Sequence, residues 1–169
     1  MLKDVLQLNT LGGKYAAVLR DLERKIIPQI TSLTAAEKAH LAAFNPYFTL
    51  YVTADRMTAR NILGRLNDFL GEGKAVMMPE REDILLHRIS GHGVAFERTS
   101  ALAKIISGNI KALVMPVEAL MQYYPAKALF ENLVLRIAKG SRLNLNEITE
   151  KLILGNYKRE ERAAEKGAF

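Results

Sequence analysis

The chain has 169 residues, 49% of them hydrophobic, and carries a formal net charge of +6. That is long and apolar enough for one domain with a real core, or one domain and a small fragment, and it argues against a disordered chain. There is no cysteine, which removes disulfide frameworks, thiolate metal sites and cysteine nucleophiles and suits the cytosol.

No run approaches the roughly 18 apolar residues needed to cross a bilayer. The opening MLKDVLQLNTLGGKYAAVLRDLERK mixes charged and apolar residues and has no signal-peptide core. The expectation is a cytoplasmic chain that makes no membrane contact. The basic balance permits an acidic partner or nucleic acid, and equally a well-solvated surface.

In chain order, Tyr15 to Lys25 is predicted as a helix, with Val18, Leu19, Leu22 and Ile26 on one face. Pro28 ends it. Ile30 to Leu33 reads as a short strand and Ala35 to Phe44 as a second helix, stopped by Asn45-Pro46. Tyr47 to Thr53, YFTLYVT, is aromatic and β-branched throughout, the pattern of a strand buried on both faces. Asp55 to Leu70 is a helix with a stripe of Ala59, Ile62, Leu63, Leu66, Phe69 and Leu70, closed by Gly71 and Gly73. Lys74 to Met78 is a strand cut off by Pro79.

Glu80 to Gly93 is polar and reads as a loop, the Gly91-His92-Gly93 triplet included. Phe96 to Ser107 is a helix with Ala101, Leu102, Ile105 and Ile106 facing inward. Gly108-Asn109 turns the chain into a strand from Ile110 to Met115, and Val117 to Gln122 is a short helix. Strand and helix alternate with short loops, so the fold class is α/β, a parallel sheet flanked by helices. From Phe130 the pattern changes. Leu133 to Ala138 alternates apolar and polar residues, as a half-exposed strand does. Asn144 to Gly155 is a helix with a capping signal at Asn144 and Glu147 and a stop at Gly155. The last stretch, NYKREERAAEKGAF, is charged and has no stop signal of its own.

The stretch Ser32-Leu33-Thr34-Ala35-Ala36-Glu37-Lys38-Ala39 falls where an α/β chain places a phosphate loop. A working loop reads Gly-x-x-x-x-Gly-Lys-Ser/Thr: glycines let backbone N–H groups close on the phosphates, lysine meets the β/γ oxygens, and the hydroxyl holds magnesium. With Lys38 as the lysine, Ser32 and Glu37 replace the glycines and Ala39 replaces the hydroxyl. Glu37 sets a negative charge against a polyphosphate, a repulsion on the order of kcal/mol. The same residues make an ordinary helix start, with Glu37 favoured by the helix dipole.

No other catalytic set emerges. The strand end at Met115-Pro116 has no aspartate for magnesium, and Glu118 a turn later reads as solvated. His40, His87 and His92 form no ligand cluster and read as solvent-facing. Ser90 and Ser100 lack a nucleophile elbow, and Tyr123-Tyr124 reads as a half-buried helix end. By elimination the chain is a binding module. Its basic residues of interest are Lys158, Arg159 and Arg162 beside Tyr157: arginine forks onto carboxylate or phosphate, and an aromatic neighbour adds contact area. A solvated tail fits that composition equally well.

The run from Glu80 to Tyr157 resembles the N-terminal module of the bacterial transcription-repair coupling factors (Mfd), itself built like the first domains of UvrB. The resemblance is carried by PEREDILLHRISGHGVAFERTSALAKIISG, IKALVMPVEALMQYYP and LVLRIAKGSRLNLNEITEKLILGNYKRE, with a Pro-Val pair at Pro116-Val117, a glycine at Gly140 and Gly155-Asn156-Tyr157 closing the last helix. It implies a UvrB-like α/β domain over residues 1–128 with an eroded, non-binding nucleotide loop at Ser32, Glu37, Lys38 and Ala39. Residues 129–169 would then begin a small, truncated α+β insertion that binds UvrA. On the resemblance, the UvrA-facing residues are Tyr157, Lys158, Arg159, Arg162 and Phe169, since Tyr157-Lys158-Arg159 matches the family's Tyr-x-Arg stretch and Gly167-Ala168-Phe169 opens its hairpin. No cofactor or metal is implied. RNA polymerase and DNA are implied partners of the rest of the parent protein, whose ATP-driven motor lies elsewhere. The competing expectations are a divergent P-loop ATPase or helicase fragment, and a direct DNA binder with steep salt dependence.

Overall fold

A computed structural model describes residues 15–81, 93–135, 137–163 and 167–169. Three parallel strands are its centre: β1 (Thr49–Thr53), β2 (Ala75–Met77) and β3 (Ala112–Pro116), in the order β1-β3-β2. Thr49 lies opposite Ala112 and Thr53 opposite Pro116, while Ala75 to Met77 run beside Ala112 to Val114 on the other side. The helices α1 (Ala16–Glu23) and α2 (Ala35–Phe44) precede the sheet. They are followed by α3 (Arg56–Leu70), α4 (Gly93–Ile106), α5 (Val117–Leu120), α6 (Lys127–Leu133) and α7 (Leu145–Leu154). The α/β reading and the parallel sheet stand as the sequence predicts.

Because strand side chains alternate, the sheet serves two cores. On one face Ala75, Ala112 and Val114 meet Ala39, Ala42 and Ala43 of α2 and Ala59, Ile62 and Leu66 of α3. The alanines let α2 lie close on α3. Leu66 is fully buried and contributes about 2 kcal/mol of apolar burial. On the other face Val76, Met78 and Met115 meet Ala101 of α4 and Ala119 of α5. Gly71 ends α3 at φ +84°, a left-handed turn that glycine makes without strain.

Four expectations are corrected. β1 is not buried on both faces: Leu50 and Val52 are 46% and 42% exposed, because β1 is an edge strand and α4 packs over β2 instead. Ile30 to Leu33 is not a strand; Ser32 takes φ +63°, which breaks an extended run. Among the described residues of Leu133 to Ala138 no strand forms. Lys127 to Leu133 is α6, with a Lys127–Glu131 pair at 3.8 Å one turn apart, and among the described residues no neighbouring strand stands ready to pair with those after it. Gly93 opens α4 and does not belong to a loop; of the rest of the expected loop, Glu80 and Arg81 are irregular, and residues 82–92 with His87, Ser90 and His92 lie outside the described residues. The expected boundary between residues 128 and 129 falls within α6.

Among the described residues no helix is long and apolar enough to cross a membrane.

Candidate functional site

The start of α2 is a complete capping box. The Thr34 hydroxyl oxygen accepts from the Glu37 N–H at 3.3 Å, and Glu37 Oε2 accepts from the Thr34 N–H at 2.9 Å and from its hydroxyl at 3.0 Å. The Glu37 carboxylate therefore sits on the helix N-terminus, the place where an anion would otherwise bind. Ser32 is exposed and Ala39 is fully buried in the alanine core. Lys38 turns away, into a groove beside β1. The four residues do not converge on a common point.

At the carboxyl ends of the strands, where α/β proteins usually place ligands, most of the polar groups pair with one another, while Glu80 Oε2 is buried with no hydrogen-bond partner among the described residues. Arg56 Nε donates to Glu80 Oε1 at 2.7 Å, and Arg56 Nη2 to the Glu80 carbonyl at 3.2 Å. Arg98, 92% buried, donates from Nη1 to the Pro79 carbonyl and, at 3.0 Å, to Gln122 Oε1, with its guanidinium 4.9 Å over the Tyr124 ring. Gln122 Oε1 also accepts from the Arg81 N–H at 3.0 Å. The cluster ties the exit of β2 to α4 and to the turn after α5. Sequence reasoning passed over Arg98, although it precedes Ala101 and Leu102 by three and four residues and so shares the inward face of α4. Tyr124 is part of this packing, whereas Tyr123 is almost wholly exposed.

The Tyr157 region is set by how α7 ends. The Tyr157 N–H donates to the Leu152 carbonyl at 2.9 Å and the Asn156 N–H to that of Ile153 at 2.9 Å, with Asn156 at φ +61°. These are the two bonds of a Schellman stop with asparagine in the left-handed position. Gly155, expected to turn the chain, has φ −76°, and a Cβ there would lie 3.2 Å from the Lys151 carbonyl oxygen, a close contact. At the other end of α7, Asn144 accepts from the Asn146 N–H at 3.1 Å, and Glu147 pairs with Lys151 at 3.4 Å instead of closing a capping box.

Beyond Asn156 the backbone pairs with the last residues of the chain. The Lys158 N–H donates to the Gly167 carbonyl at 2.8 Å, the Phe169 N–H to that of Lys158 at 2.9 Å, and the Glu160 N–H to that of Phe169 at 2.9 Å. Tyr157 is 41% exposed, and with Lys158 and Glu160 it lines a cleft of about 290 Å³ against Phe96 and Thr99 of α4. Arg159 and Arg162 are exposed and make no ion pair with any described residue. Tyr157, Lys158, Arg159 and Phe169 are thus brought together, with Arg162 following on the same segment.

His40 does not face solvent. It is buried in α2 with ring centroids 5.5 Å from Tyr15, 4.7 Å from Phe44 and 5.4 Å from Phe69. Among the described residues no group of histidines and carboxylates is arranged to hold a metal ion. The chain matches no family model and no curated protein.

Proposed function

We propose that this chain is a non-catalytic docking module, the UvrB-like N-terminal part of a transcription-repair coupling factor of the Mfd kind, and that it recruits UvrA. The observation that carries the reading is the segment from Tyr157 to Arg162. A helix stop and three main-chain hydrogen bonds hold its backbone, while Arg159 and Arg162 project without a partner among the described residues. An aromatic beside fork-shaped cations suits an acidic protein surface.

The capping box supports the non-catalytic half. A helix start that holds its own carboxylate has less use for a phosphate, and Ala39 lies in the core, where it offers nothing to magnesium. On this reading the sheet is a UvrB-like domain with a degenerate phosphate loop, Phe169 belongs to the docking surface, and residues from 129 onward begin the insertion that carries it. Contacts with RNA polymerase and DNA belong to the rest of the parent protein, as does its motor.

Titrating purified UvrA into the chain is expected to release heat, and Arg159→Ala to weaken binding by about 1–3 kcal/mol. ATP–magnesium is expected to release none. An unchanged dissociation constant for the variant overturns the docking assignment. ATP binding that Lys38→Ala abolishes restores the enzyme reading.

A further inference from the structure

β1 is an edge. Its neighbour is β3, and among the described residues no strand lies on its other side. Such an edge presents a row of main-chain N–H and C=O groups with no strand to take them up. Beside it lies a groove of about 600 Å³. The consecutive residues Tyr47, Phe48, Thr49, Leu50 and Tyr51 all line it. Within β1 neighbouring side chains point to opposite faces, so a cavity that touches Thr49, Leu50 and Tyr51 in turn follows the edge itself. The opposite wall is apolar, from Leu22 of α1 to Ile30.

Among the described residues that line it, Lys38 alone carries a full charge, and its ammonium makes no ion pair with any described residue. Three demands on an occupant follow. The open backbone edge calls for an extended chain, the walls for apolar side chains, and Lys38 for a carboxylate. A second copy of β1 fails the third demand: Tyr47 to Ala54 contains no acidic residue, and symmetric pairing would bring two Lys38 ammonium groups toward each other.

We propose that the β1 edge and its groove take up an extended segment of a partner protein, with alternating apolar side chains and a carboxylate facing Lys38, which adds to the sheet as a fourth strand. No residue lining this groove lines the Tyr157 cleft, so the two surfaces are separate and this proposal does not rest on UvrA docking.

The test is selection of a random dodecapeptide library on the whole chain, followed by titration of the synthetic winners. Enriched peptides are expected to alternate apolar residues and to carry one acidic residue. N-methylation of alternate peptide amides, which leaves the protein untouched, is expected to weaken binding by about tenfold or more, as loss of strand hydrogen bonds requires. Lys38→Glu is expected to weaken binding about as much, and exchanging the peptide's acidic residue for lysine to restore it on that variant. Absence of enrichment overturns the proposal, as does binding that N-methylation leaves unchanged. A dimer that occupies the same edge, seen as sedimentation of two chains and its loss on Leu50→Lys, overturns it in favour of a second copy.

Discussion

Asp55 caps α3 with both carboxylate oxygens: Oδ1 accepts from the Thr58 N–H at 2.7 Å and Oδ2 from the Thr58 hydroxyl at 2.8 Å. Hydrogen bonds to the charged form, the Thr58 N–H first, hold this carboxyl below its ordinary value of 3.8. A folded pKa below the unfolded one means that the unfolded chain binds the proton more readily. The stability Asp55 contributes is therefore fully present above the unfolded value and is lost as pH falls from there through the folded value. Asp55→Asn keeps a capping oxygen and removes the titration. Its melting temperature at pH 7 is expected to stay near that of the parent, and the acid limb of its stability profile to be shallower below pH 3.8. An unaltered acid limb would place the acid sensitivity in other carboxylates. Glu37 and Asp55 illustrate the same point at two helix starts: each acidic side chain folds onto its own first turn, and neither is left to work on a ligand.

At the scale of elements, the arginine cluster is what joins the exit of β2 to the helices that follow. Pro79 is fully buried, and its carbonyl takes the Arg98 guanidinium. Arg98→Ala strands that acceptor and removes the contact with Tyr124, an expected loss of about 1–3 kcal/mol. Urea unfolding is expected to give a lower midpoint with the slope unchanged. Arg98→Lys keeps the charge and one donor but loses the fork and the ring contact, so its midpoint belongs between the two. A midpoint that does not move would make the cluster a bystander. Helices such as α2 and α3 were legible in the sequence because their signals are local: Asn45-Pro46 stops one, and Gly71 stops the other. Strand identity was less legible, because a strand needs a neighbour that the local sequence does not name. Among the described residues, YFTLYVT found β3 on one side only, and those of Leu133 to Ala138 found no partner strand. His40 and Arg98 escaped for a related reason. Both are polar residues on inward faces, and burial of a polar group depends on what the fold brings to it. For His40 that is three aromatic rings, and for Arg98 a carbonyl, an amide and a ring.

At the scale of the whole molecule, the buried cores and the proposed docking segment lie in different parts of the chain. The two buried clusters draw on α2 to α5 and the sheet, and α6 and α7 contribute no buried residue to either. Leu145, Ile153 and Leu154 on α7 are 75%, 58% and 72% exposed. A ten-residue helix with no fully buried residue is marginal by itself in water. The segment that carries Tyr157 to Arg162 therefore hangs on a helix stop, a few main-chain bonds and the cleft against α4, while the sheet stands on its own core. Amide hydrogen exchange across a low range of urea tests this separation. The amides of β3 are expected to exchange only through global unfolding and to quicken in Arg98→Ala. Those of α7 are expected to exchange through local opening, faster and indifferent to that substitution. Equal protection in β3 and α7, falling together in the variant, would make the chain one cooperative unit. Arg159 would then be presented by the rigidity of the whole fold, and a partner binding there would stabilise the sheet as much as the segment it touches.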